Sequence, residues 1–192
     1  LSRNYHDRYQ YIFPDFNFSR RIDIPENYNV SFNFNSYGYN KHYNTNVNES
    51  VITNDFLFSS MDFINSNGYL TNYNFLLKNN NNYSNNSKYY EDNTQYDLFG
   101  VFKIDTSLPL QKRFDEITHY LKPIVSLRYS PNSNSDLSAK DILLNYDSVF
   151  NLNRIGTNTE VEGGESLSLG LEFKRKDISG LDIIDFKVAN VL

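Results

Sequence analysis

The segments Tyr120-Leu-Lys-Pro-Ile-Val-Ser-Leu-Arg-Tyr129 and Ser166-Leu-Ser-Leu-Gly-Leu-Glu-Phe173 flank a long polar stretch, and their reading decides the fold. Both alternate. In the first, Leu121, Val125 and Leu127 fall on one side, with Lys122, Ser126 and Arg128 on the other. In the second, Leu167, Leu169, Leu171 and Phe173 oppose Ser166, Ser168, Gly170 and Glu172. A period of two marks a strand with one apolar and one polar face. Ser130-Pro131 ends the first strand. A polar connection is expected over 131–165, carrying Asn145-Tyr-Asp-Ser148, Asn153-Arg-Ile155 and Val161-Glu-Gly-Gly164.

The same pattern extends outward in both directions. Arg175 to Gly180 turns the chain into a last strand, where Ile184, Phe186 and Val188 alternate with Asp185 and Lys187. Upstream, Tyr96, Leu98, Gly100, Phe102 and Ile104 form a row opposed by Asp97, Lys103 and Asp105. Thr106 to Glu116, with Pro109, reads as a connection. Tyr69, Thr71, Tyr73, Phe75 and Leu77 share a face after the tight turn Asn65-Ser-Asn-Gly68, which closes a strand over 50–64. Tyr28 to Phe34 and Phe16 to Ile22 alternate too, with Asp23-Ile-Pro-Glu26 as the turn between them. Asn35 to Glu49 and Asn79 to Thr94 read as polar connections. The second holds four consecutive asparagines and has too little apolar surface to order itself.

Composition narrows the class. Across 192 residues only 39% are hydrophobic, yet 16% are aromatic, from 16 Tyr and 15 Phe with no Trp. The mean hydropathy is −0.60. A chain this polar builds an apolar surface only by placing its apolar residues at every second position. A net charge of −5 gives no electrostatic case for nucleic acid. With no cysteine there is neither a disulfide nor a thiolate metal site. His6, His42 and His119 lack metal-ligand spacing. There is no G-x-S-x-G elbow, and Val161-Glu-Gly-Gly164 lacks the spacing of a phosphate loop. No enzyme activity and no cofactor are expected. No apolar run approaches the roughly 20 residues of a membrane-spanning helix, and Leu1-Ser-Arg-Asn-Tyr5 is not a signal peptide. Both ends read as cut within the strand pattern, so 1–192 is expected to be part of one larger domain.

The fold class is all-β and antiparallel, and two architectures satisfy the alternation. In a soluble sandwich it separates core from solvent. In a transmembrane β-barrel it separates lipid from lumen, because only a closed sheet satisfies backbone groups inside hydrocarbon. The aromatic abundance and the alternation of short with long connections (long ones at 79–94 and 131–165) favour an incomplete barrel segment of about 8–10 strands. On that scheme 65–68 and 175–180 face the periplasm.

The ordered series of a Leu-x-Pro strand at Leu121–Pro123, Ser130-Pro131, Asp147-Ser148, Asn153-Arg154 and Val161-Glu-Gly-Gly164 resembles the barrel domain of the LptD family, which assembles lipopolysaccharide at the Gram-negative outer membrane. Gly100 to Leu110, ending in Ser107-Leu-Pro-Leu110, is similar to a strand and turn of that family, as is Pro14-Asp-Phe-Asn-Phe-Ser19. The resemblance implies a wall segment from the middle of the barrel, in the cell outer membrane. It implies as partners an LptE-like plug lipoprotein, lipopolysaccharide, and an LptA-like periplasmic bridge through an N-terminal domain that this sequence lacks. It also implies that Tyr146, Asp147, Ser148, Arg154, Glu162, Gly163 and Gly164 form a loop that folds into the lumen. The commoner job of such residues is to hold a loop by hydrogen bonds and permissive glycines. Lys122, Ser126 and Arg128 should face the lumen. A small-solute porin or receptor, or a soluble sugar-binding sandwich, would share the alternation but not the motif series.

Overall fold

The computed structural model describes residues 10–22, 24–25, 28–43, 46–87, 90–132 and 143–192. They form ten strands and one helical turn: β1 (Gln10–Ile22), β2 (Val30–Tyr43), β3 (Val47–Ser60), β4 (Phe63–Ile64), β5 (Leu70–Asn85), β6 (Thr94–Ser107), β7 (Leu110–Phe114), β8 (Ile117–Ser130), α1 (Tyr146–Val149), β9 (Gly164–Lys176) and β10 (Asp182–Val191). All strands join a single antiparallel sheet in the order β1-β2-β3-β5-β6-β8-β9-β10. β4 continues the β3 position alongside β5, and β7 continues the β6 position alongside β8. The result is an up-and-down meander of eight positions. It is open, with β1 and β10 at its two edges.

Alternation makes the register legible. Phe32, Phe58, Phe75 and Phe102 are successive cross-strand partners over β2, β3, β5 and β6. Leu121 faces Phe173, and Phe173 faces Phe186, over β8, β9 and β10. A one-residue slip would turn each row to the opposite face, so the two-sided pattern pins the pairing.

Two short turns at one end share one device. Asn65 Oδ1 accepts from the backbone N of Asn67 (2.9 Å) and Tyr69 (3.0 Å), and Gly68 adopts φ 82°. Asp177 Oδ1 accepts from Ser179 Oγ (2.6 Å) and Leu181 N (2.9 Å), and Gly180 adopts φ 85°. In both, a short polar side chain copies a backbone turn and glycine supplies the left-handed step.

Three expected connections are replaced largely by strand. Asn79 to Asn85 lies inside β5, so the loop expected over 79–94 shrinks to 86–93. The asparagines are ordered by each other and by their neighbours. Thr53 Oγ1 donates to Asn80 Oδ1 (2.9 Å), Asn54 Nδ2 to Asn79 Oδ1 (3.3 Å), and Asn81 Nδ2 to Asn79 Oδ1 (2.6 Å). Paired side-chain amides supply cross-strand contacts that apolar surface would otherwise provide. Likewise 35–49 is mostly the facing ends of β2 and β3, and 106–116 is mostly β7 with a two-residue turn at Asp115-Glu116. The strand expected over 50–64 breaks at Met61-Asp62.

Candidate functional site

The long connection between β8 and β9 decides what the sheet presents. Residues 143–163 fold back over the polar face. α1 opens with a capping box: Ser148 N donates to Asn145 Oδ1 (2.8 Å), and Asn145 N donates to Ser148 Oγ (2.8 Å). Tyr146 Oη then reaches Glu172 Oε1 on β9 (2.9 Å), and its ring lies 5.3 Å from Lys187 Nζ on β10. The Phe150 ring sits on Gly170, where a Cβ would collide with it.

From there the loop crosses the sheet strand by strand, and the sheet holds it by its backbone carbonyls. Lys103 Nζ on β6 donates to Phe150 O. Arg128 on β8 donates from Nε to Leu152 O (2.9 Å) and from Nη2 to Glu162 O (2.6 Å). Lys78 Nζ on β5 donates to Asn158 O (2.8 Å), and so does Tyr37 Oη on β2. The loop braces itself through a bidentate pair, Arg154 Nε to Glu162 Oε2 (2.8 Å) and Nη2 to Oε1 (2.6 Å). Val161 inserts between Leu76 and Val101, with Leu57, Phe99 and Leu152 packed around them. This is the buried apolar cluster of the described residues, and it lies on the polar face.

The sheet's lysines under the loop are ion-paired, while Arg128 is held by the loop carbonyls alone. Lys78 pairs with Asp55 at 2.6 Å and Lys103 with Asp105 at 2.7 Å. Arg128 is 4% exposed and Ser126 2%. Of the residues singled out from sequence, Tyr146, Ser148, Arg154, Glu162 and Arg128 are brought together in docking the loop. Gly163 is buried beside them, and Gly164 starts β9 with φ 86°. Asp147 and Lys122 do not join this network; with Asp62, Asp105, Tyr146 and Glu172 they line a cavity of about 310 Å³ beside α1. Tyr37, Lys78, Lys103 and Asn158 belong to the docking set as well. Lys103 was already on the polar side of its strand in the sequence, whereas nothing in the sequence announces that Phe150 lands on Gly170.

The other face is bare among the described residues. Leu98, Phe102, Leu127, Leu169, Phe186 and Val188 are all exposed, Leu127 at 54% and Phe186 at 53%. Phe34 stacks against Phe56 with centroids 4.9 Å apart, and Phe18 against Phe34 at 6.2 Å, along the surface. On β8 the row from Leu121 to Tyr129 runs for about 26 Å at about 3.3 Å per residue. Toward the long-loop end of β2, β3 and β5 this face turns polar, through Ser36, Asn54, Asn79 and Asn81. Among the described residues no group of three His, Cys, Asp or Glu could hold a metal, and no helix is long and apolar enough to cross a membrane, which says nothing of a β-barrel. His6 lies outside the described residues. No family model matches this chain, and no curated protein matches it.

Proposed function

We propose that the chain is a section of the wall of an outer-membrane β-barrel, with its apolar face to lipid and its loop-covered polar face to the lumen. The observation that carries this reading is which face receives the cover. A soluble sandwich hides its apolar face under a second layer. Here the long loop lies over lysines, arginines, serines and asparagines, and the aromatic and aliphatic rows stay open. At a strand tilt of about 40° the Leu121–Tyr129 row gives roughly 20 Å of apolar height, near the roughly 25 Å band of bacterial barrels. The longest connection supports the same orientation: 65–69, 115–116 and 177–181 are short and at one end, and the β8–β9 loop is at the other, where β2 and β3 are joined by three residues.

The motif series assigns the barrel to lipopolysaccharide assembly. On this reading the role is transport, the plug lipoprotein and the sugar of lipopolysaccharide lie on the lumenal side, and the Tyr146–Gly164 loop shapes the interior next to them. The series of five motifs in order supports this assignment over a small-solute porin.

Cysteine scanning tests the barrel. In the natural protein in its membrane, Leu127→Cys and Leu169→Cys should react with a lipid-phase reagent, and Lys187→Cys with an aqueous one. Aqueous labelling of all three would remove the barrel reading. Depletion of the protein tests the transport assignment: newly made lipopolysaccharide should stop reaching the cell surface. Normal surface delivery would leave a barrel of another function.

A further inference from the structure

One register step past the apolar rows, at the short-turn end, the bare face carries Lys112, His119 and Arg175. They are direct cross-strand partners: Lys112 faces His119 between β7 and β8, and His119 faces Arg175 between β8 and β9. With neighbouring strands about 4.8 Å apart, the three positions span about 10 Å. Aromatic rings frame them. Phe114 meets the His119 ring edge-on at 5.8 Å, Phe173 lies 6.0 Å from it, and Lys112 Nζ stands 4.5 Å from the Phe114 centroid. The next row inward is Leu110, Leu121 and Phe173.

Among the described residues five of the seven lysines on the polar face are ion-paired, Lys122 and Lys187 being the exceptions. On the polar face, Lys41, Lys78, Lys103, Lys174 and Lys176 each have a carboxylate within 4.0 Å. Among the described residues Lys112, His119 and Arg175 form no ion pair with a carboxylate, and the shielded Arg175 Nε has no hydrogen-bond partner. Within strands β6 to β10 the sole carboxylate on their face is Glu165, at the far end of β9. Three donors in a row, beside apolar residues and ion-paired with no carboxylate among the described residues, complement an anion attached to hydrocarbon.

We infer that Lys112, His119 and Arg175 bind the phosphate of an anionic phospholipid at the membrane boundary on the short-turn side. The inference rests on the barrel reading above. The headgroup phosphate takes the donors while the acyl chains lie along Leu110, Leu121 and Phe173. The lysine and arginine stems lie over the apolar surface and carry their charge to the interface. Short turns of bacterial barrels face the periplasm, so the lipid belongs to the periplasmic leaflet.

The test uses the natural protein in nanodiscs of phosphatidylethanolamine and phosphatidylglycerol, with the lipids it retains counted by native mass spectrometry. The Lys112→Gln/His119→Gln/Arg175→Gln protein should lose its preference for phosphatidylglycerol by roughly twenty-five-fold, about fivefold for each Lys or Arg removed. Arg175→Lys should keep it. Lys174→Gln/Lys176→Gln, on the polar face of the same strand, should keep it too. Unchanged retention in the triple variant overturns the site, as does equal loss in the polar-face variant or complete displacement of the lipid by inorganic phosphate. Leu169→Cys labelling in the same nanodiscs separates the two levels. Lipid-phase labelling with unchanged retention removes only the phosphate site, and aqueous labelling removes the barrel itself.

Discussion

The two faces of one sheet invert the arrangement of a soluble protein. The polar face, with Lys78, Lys103, Ser126 and Arg128, is buried beneath a loop, while the apolar face, with Leu98, Leu127 and Phe186, is open. Burying a cation is costly unless it is paired and hydrogen-bonded. Lys78 and Lys103 meet that condition through Asp55 and Asp105, and Arg128 meets the hydrogen-bonding half of it through the loop carbonyls. Exposing aromatic rows to water would be costly on the other side, since contiguous apolar patches mark an interaction surface. The difference between the faces therefore says more about the surroundings of the protein than either face does alone.

Substitution on the bare face should disturb the protein most. On the proposed barrel, Leu127→Arg should destabilise the natural protein in lipid by about 2–4 kcal/mol, the cost of a cation on a lipid-facing position near the midplane. Denaturant unfolding from vesicles measures it, and a loss below about 0.5 kcal/mol, the usual range for a water-exposed site, would contradict a lipid-facing position. Arg128→Met, on the covered face, removes charged hydrogen bonds to Leu152 O and Glu162 O and should cost about 2–3 kcal/mol. Protease access to the 150–163 segment should rise in parallel. Gly170→Ala should cost about 1–3 kcal/mol by overpacking against Phe150. A cost near zero would mean that the ring does not rest there. Leu169→Ala next to it should leave protease access to the loop unchanged.

The smallest effect concerns Tyr146. Burial first, and then its hydrogen bond to Glu172, push the phenol above its ordinary range. A phenol raised by folding adds its stability in the neutral form. The contribution is complete below the ordinary tyrosine pKa of about 10 and is lost as pH rises through the raised value. Loop protection should therefore be flat across neutral pH and decline only in strong alkali. Tyr146→Phe should remove about 1 kcal/mol and that alkaline decline together, as proteolysis against pH would record.

How far the sequence could be read depended on which interaction ordered each segment. The rows Tyr96–Ile104, Leu121–Leu127 and Leu167–Phe173 were legible because apolar alternation is a local signal, and each row appears on one face as expected. Asn79–Asn85 reads as a loop in the sequence because its order comes from Thr53 and Asn54, residues about 25 positions earlier. Polar ladders leave no hydrophobic period to detect. The docking loop was legible in part. Arg154 and Glu162 stand close enough in sequence to suggest a local brace, and they form one. The partnership of Asn158 with Tyr37 and Lys78, and of Phe150 with Gly170, depends on the path of the loop over the sheet, which no local pattern encodes.

Assembly of the chain depends on that path. Neighbouring strands pair across hairpins and can zip one after another, with small loop-closure entropy at each step. The Tyr37–Asn158 bond instead joins residues 121 apart, and it exists only once every strand from β2 to β8 has found its register. A single slipped strand would carry Lys78, Lys103 or Arg128 to the wrong side and leave the loop carbonyls without donors. Docking of the loop is thus the late, long-range step of folding, and it closes as a proofreading latch on a meander whose register is already correct.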